Sequence, residues 1–352
     1  MSQYFTKSLA ALEPYTPGEQ PRDQQYIKLN TNESPFAASP RVVAAITGQE
    51  VEKLRLYSDP ACRDLIGAIA ARNHIRPEQV MVGNGSDEVL AFALRAFCDG
   101  DTPLAYSDIT YGCYKVWCGL MGIPSQVIPL REDYTVDIGR YKALGATIML
   151  TNPNAPTGLA LTPGQVEEIL QANPGHVVIV DEAYVDFGAE SCLPLIDQYP
   201  NLLVVQTFSK SRNLAGARLG FAMGNPELIA DLNRIKFSFN PYNVNRLTSL
   251  AGIAAMEDEE YFASCTGKIR ENRAWTAQKL REMDFTLTDS LTNFLFAQSS
   301  RIEGGALAKA LRQKGILVRH FEGERVSNRL RITIGSRPEM EALIQALKQL
   351  GA

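Results

Sequence analysis

From about residue 39 to residue 223, short apolar runs alternate with stretches of helical periodicity. The runs at 80–82, 102–106, 126–129, 146–150, 177–180, 202–206 and 220–222 read as strands. Between them, 87–97 and 164–172 carry apolar residues at helical spacing. Strands separated by helices predict a mostly parallel seven-stranded sheet covered on both faces. Stretches 227–236 and 246–279 then read as helical, the second either long or broken. Strand-like runs at 294–297, 316–318 and 330–334, with an amphipathic helix at 338–350, predict a smaller α+β part. Residues 1–30 differ: Glu13-Pro14-Tyr15-Thr16-Pro17-Gly18 is turn chemistry. The expectation is an α/β fold with an arm (1–30), a large domain (31–245) and a small C-terminal domain (246–352).

Composition narrows the classes. The chain has 352 residues and formal net charge −4, with no basic block. That disfavours a nucleic-acid surface while allowing a basic pocket for a small anion. No apolar run approaches the roughly 18–20 residues of a membrane span. The first residues lack the long apolar core of a signal peptide, and a cytoplasmic location is expected. Of six cysteines only Cys113 and Cys118 lie close, and no Cys/His pair completes a metal spacing. His74, His176 and His320 show no ligand spacing either, so no metal is expected.

The chemistry gathers at predicted strand ends, where parallel sheets bind ligands. Lys210 follows Val204-Val205-Gln206-Thr207-Phe208-Ser209, and Arg218 follows Leu214-Ala215-Gly216-Ala217. A lysine at the end of a buried strand is desolvated, which lowers its pKa and makes it a Schiff-base candidate. Asp181 ends a second buried strand, and Tyr184 follows it. Alone, Asp181 reads better as an acid capping the next helix or turn, and Tyr184 as a half-buried packing residue. Thr207, Ser209 and Arg218 around Lys210 suit a phosphate dianion. So does the Gly83-Asn84-Gly85-Ser86-Asp87-Glu88 turn, which opens a helix whose free N–H groups face the anion. Together one lysine, one carboxylate and a phosphate cup suggest pyridoxal phosphate. Tyr111 is a candidate for stacking on a planar ring. Arg331 is a charge within an apolar strand pattern, and Arg319 ends another; each reads as an anion ligand or as a solvated edge residue.

The ordered set Gly85-Ser86-Asp87-Glu88, Asn154…Pro156-Thr157-Gly158, Asp181-Glu182-Ala183-Tyr184, Ser209-Lys210 and Arg218 resembles the fold-type-I, aspartate-aminotransferase-like pyridoxal-phosphate enzymes. Within them, several stretches look like the histidinol-phosphate aminotransferases. These are Pro14-Tyr15, Leu29-Asn30-Thr31-Asn32-Glu33-Ser34-Pro35, Thr110-Tyr111-Gly112-Cys113-Tyr114, Pro241-Tyr242-Asn243-Val244-Asn245, Val318-Arg319 and Leu330-Arg331-Ile332-Thr333. The resemblance implies transfer of an amino group from L-histidinol phosphate to 2-oxoglutarate, a step of histidine biosynthesis. It implies Lys210 as covalent anchor and proton carrier, Asp181 on the pyridine nitrogen, and Tyr184 on the phenolate oxygen. Tyr111 would stack, and the Gly85-Ser86-Asp87 backbone, Thr207, Ser209 and Arg218 would hold the phosphate. Tyr57 matches a tyrosine that reaches the partner subunit's cofactor, which implies a homodimer with shared sites. Tyr15, Asn32, Tyr242, Asn243, Arg319 and Arg331 would face substrate.

Two positions depart from the family pattern. Where an asparagine precedes Pro-Thr-Gly and bonds the phenolate oxygen, this chain has Ala155, with Asn154 before it. Either Asn154 substitutes through a shifted loop or Tyr184 acts alone. His320 stands where an aspartate is more usual. An aromatic aminotransferase or a threonine-phosphate decarboxylase would share Lys210, Asp181 and the cup. A non-catalytic pyridoxal-phosphate sensor is the alternative of another class.

Overall fold

Twelve strands order the chain in a computed structural model that describes residues 2 and 4–352. They are β1 (Ile27–Leu29), β2 (Val80–Gly83), β3 (Leu104–Ser107), β4 (Ser125–Ile128), β5 (Thr147–Thr151) and β6 (Val178–Asp181). β7 (Leu202–Thr207), β8 (Gly220–Gly224), β9 (Thr286–Leu287), β10 (Phe294–Gln298), β11 (Ile316–His320) and β12 (Leu330–Thr333) complete the set. The large sheet has seven strands in the order β2-β8-β7-β6-β5-β3-β4. Its neighbours are parallel except for β8, which runs antiparallel to β2 and β7.

The sheet is buried on both faces, which is why its strands read as unbroken apolar runs. Val178 and Val180 enter one core with Leu202 and Val204, while Ile179 enters the other with Leu203 and Val205. Helix Arg63–Asn73 covers the first face and helices Ser86–Phe97 and Pro226–Phe239 cover the second. A third core lies under the five-stranded sheet β1-β11-β12-β10-β9 and takes in Tyr184 and Phe187 from the loop after β6.

Two local results go beyond the hydrophobic pattern. The helical stretch 246–279 is broken: helix Arg246–Glu257 stops at Asp258, and helix Glu259–Arg281 restarts there. The Asp258 side chain accepts from the Tyr261 N–H and so caps the second helix. Within the expected arm, β1 joins the smaller sheet, pairing parallel to β11 with Ile27 opposite Ile316. β11 therefore lies between β1 and β12 and is not an edge strand, which removes the edge reading of Arg319.

Candidate active site

Three strand ends build the floor. In the parallel register Thr151 sits beside Asp181 and Asp181 beside Val205, so β5, β6 and β7 deliver Thr151, Asp181 and Thr207 to one edge. Asp181 is only 4% exposed. Its Oδ2 accepts from the Tyr114 hydroxyl at 2.7 Å and its Oδ1 from the Ala183 N–H at 3.2 Å. Burial pushes its pKa up to about 6, against the pull of both donors and of Lys210. Its direct contacts are a hydroxyl and an amide, not a cation, and a buried carboxylate in that position is costly. A protonated ring nitrogen is the partner that this donor set lacks.

After β7 the chain turns sharply into Lys210. The Lys210 Nζ donates to the Thr31 carbonyl at 3.3 Å and lies 5.9 Å from the centre of the Tyr184 ring. Burial, then repulsion from Arg331, brings its pKa down to about 8, while Glu33 and Asp87 oppose the shift. Such an amine serves as nucleophile and base near neutral pH. Tyr184 is buried, and its hydroxyl oxygen accepts from Asn32 Nδ2 at 2.9 Å.

The anion cup lies across from the lysine. Helix Ser86–Phe97 begins with no side-chain cap, so its first N–H groups lack intrahelical partners. Gly85 has φ +83°, and a Cβ there would lie 2.5 Å from Arg218 Nη2. Gly220 is equally tight, since its Cβ would come within 2.3 Å of the Ser86 nitrogen. Arg218 donates to Ser209 Oγ at 3.3 Å and to Asp87 Oδ2 at 3.2 Å, and the Tyr111 hydroxyl donates to Asp87 Oδ1 at 3.1 Å. The Ser209 N–H donates to Thr207 Oγ1 at 3.1 Å. Ser86, Asp87, Tyr111, Thr207, Ser209 and Arg218 line one cavity of about 460 Å³ with Asp181, Tyr184 and Lys210. The cavity combines an amine, a buried carboxylate and a cationic cup, and that chemistry fits pyridoxal phosphate.

An outer cavity of about 1040 Å³ shares Thr31, Tyr111, Ala155, Tyr184 and Lys210 with the first. Arg331 and Arg319 line it from β12 and β11. Arg331 Nη2 donates to the Asn30 carbonyl at 2.9 Å, while its Nε is buried without a partner. Arg319 donates to the carbonyls of Pro17 (3.3 Å) and Thr16 (3.0 Å), so it pins the arm across the opening. Tyr15, on that arm, meets the Tyr111 ring edge-on at 5.8 Å. Asn32 also lines this cavity, yet its side chain is committed to Tyr184 and Thr333.

Some expected site residues lie elsewhere. Asn154 does not turn toward the cofactor-shaped cavity: its Nδ2 donates to the Ile109 carbonyl at 2.9 Å and to Thr157 Oγ1 at 3.0 Å, fixing the loop. Ala155 lines both cavities instead. Asn243 is a correction as well: its Nδ2 donates to Glu88 Oε2 at 2.6 Å beneath the cup, and it lines neither cavity. Tyr242 stacks on Tyr57 with ring centres 4.4 Å apart, and Tyr57 is 81% exposed, outside this chain's cavities. His320 faces the Ser327 carbonyl at 2.7 Å, away from the opening. Sequence reasoning missed Tyr114, Thr31 and Lys115. Lys115, in the first turn of the helix Cys113–Met121 that follows Tyr111, lines the outer cavity.

Comparison with known proteins bears on this geometry. Residues 24–347 match the family of class I and II aminotransferases. Histidinol-phosphate aminotransferase of Marinomonas sp. (strain MWYL1) is 48% identical over 353 residues, covering 99% of this chain and 100% of that protein. The enzyme of the same name from Brachyspira hyodysenteriae is 47% identical, covering 99% of both chains. Among solved structures, histidinol-phosphate aminotransferase from Sinorhizobium meliloti, in complex with pyridoxal-5'-phosphate, superposes with a TM-score of 0.88 at 25% identity. That match covers 100% of this chain and 98% of the other.

Proposed function

The chain belongs to the class I and II aminotransferases, and from that premise we propose that it transfers the amino group of L-histidinol phosphate to 2-oxoglutarate. The products are imidazole-acetol phosphate and L-glutamate, and the cofactor is pyridoxal phosphate. The observation that carries the reading is the joining of two cavities at Lys210, one with the Asp181 carboxylate and the anion cup, the other with Arg319 and Arg331. Full-length similarity to enzymes named for this donor supports the choice of substrate.

The residues divide the work. Pyridoxal phosphate, when bound, supplies the electron sink that lets a proton leave the carbon bearing the amino group. The Gly85-Ser86-Asp87 backbone, Thr207, Ser209 and Arg218 would hold its phosphate, with the Asp87 carboxylate fixing the guanidinium. Asp181 keeps the ring nitrogen protonated by preorganised charge. Tyr184 offers its proton to the phenolate oxygen, and Tyr111 covers the ring face. Lys210 is the covalent anchor, and its Nζ takes the proton from the donor's Cα and later returns one as the acid. Arg331, whose buried Nε has no protein partner, clamps the substrate anion with Arg319 beside it.

The working form is a cytoplasmic homodimer with shared sites. The exposed Tyr57–Tyr242 stack supports this, as an aromatic pair left for a partner surface. Among the described residues no helix is long and apolar enough to cross a membrane. The test is glutamate formation from 2-oxoglutarate with histidinol phosphate, phenylalanine, tyrosine or threonine phosphate as donor. Histidinol phosphate should be strongly preferred; no glutamate from it would reject the assignment.

A further inference from the structure

Beside Asp181 runs a row of hydroxyl groups that the proposed reaction does not use, part-buried at Thr110 and Thr151. The Tyr114 hydroxyl donates to Asp181 Oδ2 at 2.7 Å and also lies 2.7 Å from Thr151 Oγ1. Thr151 Oγ1 in turn lies 2.9 Å from Thr110 Oγ1. The groups come from three elements: the loop after β3, the helix Cys113–Met121, and the last residue of β5. Tyr114 is completely buried.

Each hydroxyl has one proton to give. An ionised Asp181 accepts only, so Tyr114 must direct its proton there. Thr151 must then donate to Tyr114, and Thr110 to Thr151. The contacts therefore allow one direction, with every O–H dipole pointing at the carboxylate. Hydrogen bonds in such a chain polarise one another.

We propose that Thr110, Thr151 and Tyr114 are positioning residues, a one-way hydroxyl chain that holds Asp181 ionised and oriented for the cofactor's ring nitrogen. This rests on the reading of Asp181 as that nitrogen's partner. Other groups facing the carboxylate are Asp87, Lys210 and Tyr184, together with the Ala183 N–H. Asp87 opposes ionisation of Asp181, and Lys210 favours it from the open side of the cavity. The hydroxyl chain favours it by direct contact at Oδ2. Without the chain Asp181 would be a more basic carboxylate and a poorer counter-charge for a protonated ring nitrogen, and with the cofactor bound Lys210 would keep its proton to higher pH.

The experiment follows visible absorbance of the cofactor-loaded enzyme against pH, together with pyridoxal phosphate affinity of the cofactor-free form. Tyr114→Phe should raise the absorbance midpoint by about one pH unit and weaken affinity roughly ten-fold. Thr151→Val should do the same to a smaller extent, and Thr151→Ser should return both readings toward the parent. Asp181→Asn is the reference. If Asp181→Asn moves the midpoint while Tyr114→Phe and Thr151→Val leave it at the parental value, the hydroxyl chain is rejected. If Asp181→Asn itself leaves the midpoint unmoved, the pairing of Asp181 with the ring fails, and the chain fails with it. Thr151→Val keeps the shape of threonine without its hydroxyl and Thr151→Ser keeps the hydroxyl, so the pair reads the hydroxyl even if Tyr114→Phe folds poorly.

Discussion

Asn32 Nδ2 donates to the Tyr184 hydroxyl oxygen at 2.9 Å, which leaves the phenol's single proton free for an acceptor in the cavity. In this arrangement Thr333 Oγ1 donates to Asn32 Oδ1 at 3.1 Å, so both ends of the amide are partnered. In the proposed reading, Asn32 thus turns the Tyr184 proton toward the phenolate oxygen of the cofactor. Asn32→Ala should lower kcat about ten-fold, as losses of supporting contacts commonly do. Tyr184→Phe should lower it at least as far, and the double variant should be no worse than Tyr184→Phe alone. Losses that add in steady-state kinetics would separate the two residues.

Lys210 has a folded pKa of about 8, below the ordinary 10.5. Its neutral amine is therefore plentiful well below the usual lysine range. Capture of pyridoxal phosphate by the cofactor-free enzyme should accelerate as pH rises and level off with a midpoint near 8. Arg331→Ala removes a repelling charge and should move that midpoint upward. The linkage to folding has the opposite sense from a salt-bridged lysine. Charging Lys210 opposes the folded state, so the cofactor-free protein should gain stability between pH 8 and 10.5. Thermal midpoints of the parent and of Lys210→Met should converge across that window.

Arg319 and Arg331 differ in what already binds them. Arg319 holds two arm carbonyls, whereas Arg331 keeps a buried Nε unpaired. Arg331→Lys should not restore what Arg331→Ala loses, since a lysine cannot reproduce the fork. Arg319→Ala should raise KM for the phosphorylated donor roughly ten-fold or more, and far less for an uncharged one. It should also hasten proteolytic cleavage within residues 11–18, because the arm loses its clasp. Equal losses for charged and uncharged donors would leave Arg319 with the arm alone.

Tyr57 tests the shared site. In the proposed dimer with shared sites, mixed dimers of Tyr57→Ala and Lys210→Ala would contain one site with an intact lysine and an intact partner tyrosine. Mixing two impaired preparations should therefore recover activity. If each chain used its own Tyr57, mixing would recover none.

The large sheet was legible because burial on both faces writes each strand as an apolar run, and the expected ends fall within a few residues of the observed ones. Lys210 and Asp181 were legible for a related reason: a charge that ends such a run stands out. Asn154 and Asn243 were not. An asparagine in a loop advertises polarity but not its partner, and here Thr157 and Glu88 claimed them. β1 was missed because three residues are too few to show a period, and its pairing depends on a strand near the other end of the chain. Tyr114 was hidden in plain view, since a buried tyrosine looks the same whether it packs or donates.

The pairing of Ile27 with Ile316 also sets a timetable. During synthesis β1 emerges long before β11, its sheet partner. The segment just after β1 carries Thr31, whose carbonyl meets Lys210, and Asn32, which aims Tyr184. The large sheet can assemble while these two contacts wait. A pairing of such long sequence separation should form late, so refolding protein should regain its helices and strands before it regains turnover.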